Sequence, residues 1–228
     1  MKEKHYHSYE DYWKAVEDYS MKRDNVSLNN GNRKTGKACL TLSLPPLISC
    51  RNDCPCASVC YARKGNMRYA NVQGSYLRNY RIWQEDPGKF EKQLDAALTY
   101  NALPLLRICD SGDLINKEFF EMLVRVIGNH PEIKAMAFTK KYEIVNETLE
   151  HTELPENFCV RFSMWDKNWA VPNPHDLPVA YVDFKDSSLN PEIPQNAFVC
   201  RGGKDGITCS NCRMCFNKNV KAIRLLQH

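Results

Sequence analysis

The sequence predicts an α/β fold, either a partial (β/α) barrel or a mostly parallel sheet with crossover helices. Short apolar segments rich in strand-forming residues alternate with segments of helical periodicity over most of the chain. Such alternation is typical of parallel strands joined by helices. At 228 residues, 43% of them hydrophobic, the chain is long enough for one sizeable core. We favour the partial barrel, built as a single domain over 1–228 in which 200–228 form a C-terminal cysteine-cluster extension.

The individual elements follow from periodicity and from the residues that interrupt it. An amphipathic helix is predicted over 8–21, then a polar loop over 25–37, then a strand over 38–44 that ends at Pro45 and Pro46. Pro87 and Gly88 separate the second helix from the third, and Gly128 closes the fourth. Further helices are predicted over 69–83, 89–100, 116–127 and 142–149, and further strands over 103–109, 133–139, 158–164, 179–184 and 197–200.

Composition narrows the function classes. The N-terminal residues lack the apolar stretch of a signal peptide, and no apolar run is long enough to span a membrane, so we expect a cytoplasmic protein. The 11 cysteines then favour metal binding over a disulfide scaffold, because reducing compartments keep thiols free. With 31 basic and 27 acidic residues, the charge does not indicate a nucleic-acid partner.

Four cysteines near the C-terminus form the first candidate metal site. Cys209, Cys212 and Cys215 stand at intervals of three, and Cys200 supplies a fourth thiol upstream. The tight run is similar to the spacing with which ferredoxins hold an iron-sulfur cluster, so a 4Fe-4S cluster is predicted. Zinc is the alternative, since four thiolates also suit a tetrahedral site, and unligated thiols are the remaining one.

A second cysteine group follows the first long strand. Cys50, Cys56 and Cys60 form a three-thiolate set that would leave one iron open. Cys56 and Cys60 have the i, i+4 spacing of neighbours at the start of a helix. Cys54 is either a fourth ligand or a bystander. A zinc knuckle, a reactive dithiol formed by Cys54 and Cys56, and a single site shared by both cysteine groups remain open alternatives, so one or two clusters are expected.

Other chemistry-bearing residues fall at predicted strand ends, where ligands gather in parallel sheets. Asp110, Ser111 and Asp113 could accept hydrogen bonds from an amine or a ribose of a bound ligand, or Asp113 could cap the helix that opens near Asn116. Lys140 and Lys141 are expected in a solvated turn rather than in contact with an anionic ligand. Trp165 and Trp169 are expected in a packed loop or a stacking site. The remaining cysteines are expected in the core, namely Cys39, Cys109 and Cys159.

Several motifs spread along the chain resemble the bacteriophage gene product 88 family. They are Gly31-Asn-Arg-Lys-Thr-Gly36, Leu44-Pro-Pro46, Cys50 with Pro55-Cys-Ala-Ser-Val-Cys-Tyr-Ala62, Arg107-Ile-Cys-Asp-Ser-Gly-Asp113, and Thr208 with the cysteines up to Cys215. The resemblance implies a phage or prophage origin and a metal-cluster protein. Because the family pattern has no cysteine before Pro55, it also implies that Cys54 is not a ligand.

The layout is also distantly similar to radical S-adenosylmethionine enzymes that carry an auxiliary cluster. The shared features are three cysteines after the first strand, a parallel strand-helix series and a C-terminal cysteine quartet. The spacing departs from the usual Cys-x3-Cys-x2-Cys, and no Gly-Gly-Glu follows the next strand. The likeness implies a redox-active or radical-type enzyme that binds S-adenosylmethionine and receives electrons from a donor. The alternative is a non-enzymatic module that is stabilised by a bound iron-sulfur cluster or zinc ion and binds a phage or host partner.

Overall fold

One mixed sheet organises the structure, a computed structural model that describes residues 6–54, 56–168 and 171–227. Within these residues eight strands pair in the order β1-β2-β3-β4-β5-β6-β8-β7. The strands are β1 (Leu28–Asn30), β2 (Cys39–Leu42), β3 (Leu105–Ile108), β4 (Lys134–Thr139), β5 (Phe158–Met164), β6 (Val179–Asp183), β7 (Phe198–Val199) and β8 (Ala222–Leu226). The helices are α1 (Tyr9–Met21), α2 (Ala70–Glu85), α3 (Pro87–Asn101), α4 (Lys117–Gly128), α5 (Tyr142–Leu149) and α6 (Cys209–Cys212).

The strands follow the order of the chain except for the last two, β8 and β7. Strands β2 to β6 are parallel and follow one another in sequence order, and β8 pairs in parallel with both β6 and β7. Only β1, at one edge, is antiparallel to its neighbour among these strands. Helices α2 to α5 lie in the connections between β2 and β5. The α/β fold with a mostly parallel sheet is therefore confirmed.

The two faces of this sheet have different partners. Side chains that alternate along each strand, such as Leu40, Leu106 and Val160, pack with the apolar sides of α2 to α5 in the main core. The opposite face, called the inner face below, carries Cys39, Leu105, Met136 and Cys159, which pack with Phe216. Since the crossover helices cover only one face, the C-terminal segment covers the other.

The differences from the predicted elements lie mainly in polar segments. β1 forms within the stretch predicted to be a loop, because its backbone pairs with β2 although two of its three side chains are polar. β8 was not predicted, and its sequence carries the charged Arg224, which pairs with Asp183 of β6 at 2.7 Å. Pro87 does not merely interrupt a helix but starts α3, where its missing N–H costs no hydrogen bond.

No helix within the described residues is long and apolar enough to cross a membrane.

Candidate metal and ligand site

A cavity of about 470 Å³ lies against the inner face of the sheet. Its wall includes residues from both cysteine groups predicted to bind metal, although one group follows β2 and the other follows β7. The lining cysteines are Cys50, Cys54, Cys56, Cys60, Cys109, Cys200, Cys209 and Cys215. Cys212 is not among the lining residues. The fold thus brings seven of the eight cysteines of the two predicted groups to one cavity.

In the N-terminal group Cys54 occupies the central position. Its sulfur lies 3.1 Å from that of Cys56, and its pKa is also affected by Cys50. Hydrogen bonds from Cys50 and Cys56 hold the pKa of the Cys54 thiol well below its usual range, and the same bonds raise the pKa of Cys50 and Cys56. Cys54 therefore sits among the predicted ligands rather than apart from them.

The segment that carries Cys56 and Cys60 is not the start of an α-helix, contrary to the prediction from their spacing. It forms three short 3₁₀ turns, at Ala57–Val59, Tyr61–Arg63 and Gly65–Arg68. With three residues in each turn, positions four apart do not share a face. Both cysteines line the cavity because this succession of turns forms part of its wall.

The C-terminal group is held on the inner face by a buried arginine. Arg161 of β5 is fully buried and donates hydrogen bonds to the carbonyl oxygens of Met214, Cys215, Asn217 and Val220 at 2.6–3.0 Å. These carbonyls belong to the turn that follows α6, so the guanidinium fixes the backbone beside the cysteines. Burial raises the pKa of Cys215 to about 12 and also raises the pKa of Cys209.

A loop of residues 31–36, called the brace loop below, holds α6 from the other side. The carbonyl of Lys34 accepts from the Cys209 amide at 2.9 Å, and the carbonyl of Thr35 accepts from the amide and hydroxyl of Ser210 at 3.0 and 2.7 Å. Gly36 has a φ of +80°, and a Cβ there would lie 2.6 Å from the Ser210 Oγ. The Gly-Asn-Arg-Lys-Thr-Gly motif therefore positions the C-terminal cysteines.

A buried ion pair lies between the two cysteine groups. Arg107 of β3 is 3.0 Å from Asp110, and its other terminal nitrogen is 4.0 Å from the Cys209 sulfur. The side-chain amide of Asn32, in the brace loop, donates to the second Asp110 oxygen at 3.1 Å. Tyr61 donates its hydroxyl to the Asp110 carbonyl from the N-terminal side. These contacts connect the surroundings of one cysteine group to those of the other.

The predicted ligand-binding residues Asp110, Ser111 and Asp113 all line the cavity, but the carboxylates are already engaged. Asp113 accepts from the Thr139 hydroxyl at 2.6 Å and from the Lys140 amide at 2.9 Å, and so joins the carboxyl ends of β3 and β4. The alternative that Asp113 caps α4 is wrong, because Asn116 caps that helix itself. Burial raises the pKa of Asp113, against the lowering effects of Lys140 and of the donated hydrogen bonds.

One further expectation for the cavity wall is wrong and another is confirmed. Cys109 belongs to the main core, as predicted, and it also lines the cavity, where it follows the end of β3 at Ile108 with a φ of +56°. Such backbone strain is typical of functional sites. Lys140 does not lie in a solvated turn, since it lines the cavity with its ammonium 4.9 Å from the Trp165 ring centre. Cys39 and Cys159 are core residues, as predicted, and Trp169 lies outside the described residues.

In the described part of the chain, no group of three or more cysteine, histidine or carboxylate side chains is arranged as a metal site. The Cys54 and Cys56 sulfurs, 3.1 Å apart, are closer than the roughly 3.8 Å between thiolates on a tetrahedral zinc ion. The donor set itself consists of thiols, which suit iron-sulfur clusters and zinc.

Residues 20–218 match the family described as gene product 88. The chain belongs to this family. The match spans the brace loop, both cysteine groups and the segment from Arg107 to Asp113, so the family resemblance predicted from those motifs is confirmed. No curated protein and no solved structure matches the chain.

Several residues in or beside the cavity were not predicted from the sequence, although two of them stand out in their strands. Arg107 and Arg161 each interrupt an otherwise apolar strand, and a charged residue in a buried strand indicates a buried partner. The brace loop was recognised only as a family motif. Lys140 gave only the signal of its place at a strand end, and the solvated turn was favoured over contact with an anion because a lysine there is usually solvated.

Proposed function

We propose that this protein binds iron-sulfur clusters and is a redox-active or radical-type enzyme. The observation that carries the proposal is that cysteines from two distant segments line one cavity beside the carboxyl ends of β2 and β3. Ligands in parallel α/β folds gather at these strand ends. The proposed ligands are thiolates of both cysteine groups, with Cys54 added to the N-terminal set.

The spacing of the thiols favours clusters over zinc. A structural zinc ion draws its four ligands to one point, with Zn–S distances of about 2.3 Å, and leaves no open volume. Here the thiols stand on the walls of a cavity of about 470 Å³, which has the size of a small-molecule site. Space of this kind suits a multi-iron cluster with a ligand beside it.

The residues between the cysteine groups favour two clusters over a shared one. Arg107 and Asp110, both buried, occupy the wall between them. The N-terminal group has Lys140 nearby and borders the cavity, so it is the candidate for an open iron that binds a small molecule such as S-adenosylmethionine. The C-terminal group, with Arg107 directed at Cys209, is the candidate for a closed cluster that passes electrons from a donor.

Iron analysis of cysteine variants tests the proposal. After anaerobic purification we expect iron, acid-labile sulfide and the electron paramagnetic resonance signal of a reduced cluster. Cys56→Ser and Cys215→Ser should each lose about half of the iron if there are two clusters, whereas one shared cluster predicts nearly complete loss in both. Cys159→Ser, which changes a core cysteine outside the cavity, is the matched control. A colourless protein with stoichiometric zinc in place of iron would refute the proposal.

The second candidate function is that of a binding module that is stabilised by a bound metal and has no enzymatic activity. It is favoured by the contacts of Arg161 and the brace loop, since these hold the C-terminal group as a structural unit. Addition of S-adenosylmethionine to the reduced protein separates the two candidates. The enzyme should show a changed cluster spectrum and form 5′-deoxyadenosine, while a module should show neither.

A further inference from the structure

Two polar groups of the cavity wall lack a hydrogen-bond acceptor or a carboxylate partner among the described residues. The first is the Ser111 hydroxyl, which is buried without a hydrogen-bond partner although the residue is only 2% exposed. The second is the Lys140 ammonium, which forms no ion pair with a carboxylate among the described residues. Buried polar groups are nearly always satisfied, so the unpaired Ser111 hydroxyl in the wall of this cavity points to a ligand.

Ser111 is held in place by its backbone. Its carbonyl accepts from the Leu44 amide at 2.9 Å, which ties the loop after β3 to the end of β2. Its side chain therefore cannot leave the cavity wall without breaking this contact. A hydroxyl in this position can donate one hydrogen bond and accept others.

The carboxylate of Asp113, the acidic neighbour of Lys140, forms no ion pair with the Lys140 ammonium. Both oxygens of Asp113 are used elsewhere, by the Thr139 hydroxyl, by the Leu114 amide and by the backbone amide of Lys140 itself. The lysine side chain instead extends over the Trp165 ring. It thus presents a cation to the cavity next to an aromatic surface.

The rest of the wall near these groups is largely apolar. Met136 and Phe138 of β4, Val182 of β6 and Leu225 of β8 all face the cavity from the sheet. A ligand with an apolar or aromatic body would bury that body here, while a fully charged ligand would leave these side chains poorly matched.

We propose that the cavity binds an organic anion, a small molecule with an apolar body and a carboxylate or similar group. Lys140 and the Ser111 hydroxyl hold the anionic group, and Phe138 and Trp165 contact the body. This differs from the prediction that Asp110 and Asp113 accept hydrogen bonds from an amine or ribose, since those carboxylates are already occupied. The role of the ligand in a reaction rests on the proposed function, but its binding does not require iron.

Benzoate and benzamide test the site, because they have the same ring and differ in the charge of the substituent. Binding to the full-length protein is followed by the fluorescence of Trp165, taken as the difference from Trp165→Phe, and the iron content of every sample is measured in parallel. We expect benzoate to bind about tenfold or more tightly than benzamide. Lys140→Met should abolish this preference, and Ser111→Ala should weaken benzoate binding several-fold. Lys134→Met, at the exposed opposite end of β4, is the matched control and should bind as the wild type does.

Equal affinity of the wild type for benzoate and benzamide, or binding of neither, would overturn the anion site. So would a Lys140→Met variant that keeps the preference for benzoate. If Lys140→Met does not fold, as judged by circular dichroism, the wild-type preference and the Ser111→Ala variant decide the question. Selective benzoate binding by protein that contains no iron would support the anion site and contradict the proposed iron-sulfur cluster. Protein that contains iron but does not prefer benzoate would support the cluster and contradict the anion site.

Discussion

Replacing Gly36 by alanine should release the C-terminal cysteines from the brace loop. Gly36 has a φ of +80°, so an alanine there carries the left-handed backbone cost of about 1–2 kcal/mol. Its Cβ would also lie 2.6 Å from the Ser210 Oγ and 2.8 Å from the Thr208 Oγ1. Both oxygens must move, although one donates to the Thr35 carbonyl and the other caps α6.

The loss of stability expected for Gly36→Ala follows from these contacts. Loss of the Ser210 hydrogen bond and of the Thr208 cap adds about 1–3 kcal/mol to the backbone cost. For a chain of this size, each kcal/mol lowers the melting temperature by roughly 2–4 °C. Gly65→Ala is the matched control, because Gly65 has a φ of +52° and its Cβ would meet nothing within 4 Å. We therefore expect Gly36→Ala to melt about 2–12 °C below Gly65→Ala.

Thermal unfolding and thiol labelling measure the two parts of this prediction. Unfolding is followed by circular dichroism on matched metal-free samples of both variants. Alkylation by iodoacetamide, resolved by mass spectrometry, should speed up at Cys209 and Cys215 in Gly36→Ala while Cys56 reacts as in the wild type. Equal melting temperatures for Gly36→Ala and Gly65→Ala, or unchanged labelling of Cys209, would refute the steric argument.

Three further substitutions test other contacts of the site. Arg161→Met should lower the free energy of unfolding by ~3 kcal/mol in chemical denaturation, because it leaves four carbonyl oxygens without their donor. Thr139→Val should cost about 1.5–3 kcal/mol in the same assay, since the 2.6 Å hydrogen bond to the Asp113 carboxylate is lost. Cys54→Ser should remove as much iron from anaerobically purified protein as Cys56→Ser does, because their sulfurs are neighbours.

Each of these substitutions has a clear contrary result. Thr41→Val is the control for Thr139→Val, because the Thr41 hydroxyl lies 3.5 Å from its acceptor and should contribute little. Equal effects of the two valine variants would contradict the importance of the Asp113 contact. An Arg161→Met protein as stable as the wild type would show that water replaces the guanidinium. Full iron content in Cys54→Ser, with loss in Cys56→Ser, would return Cys54 to the role of a bystander.

The main strands and helices could be predicted because burial forces a pattern on the sequence. β2 to β6 are apolar on the helix-covered face, and α4 buries one broad apolar side against them, so periodicity located these elements within a few residues. β1 and β8 escaped prediction for the opposite reason. Both strands are held by backbone pairing with a neighbouring strand, and their side chains do not alternate cleanly between apolar and polar.

The candidate site was predictable in its thiols and not in its other members. Cysteine spacing marks potential ligands locally, so the cysteines now found at the cavity were named from sequence. The positions of Lys140, Arg107 and Asn32 depend on which strand ends and loops meet in three dimensions. Arg107 stands out as a charge in an apolar strand, but its partners cannot be named from that strand alone, and only the sheet order places these side chains beside the thiols.

The place of β8 in the sheet has a consequence for the order of folding. β7 pairs only with β8 among the described strands, and the Cys200 amide donates to the Arg224 carbonyl of β8 at 2.9 Å. Cys200 therefore reaches its position only after the chain has passed through the Cys209–Cys215 run and returned to insert β8 beside β6. The thiol set of the C-terminal group is thus complete only once β8 has paired in the sheet, because loop closure must precede that pairing.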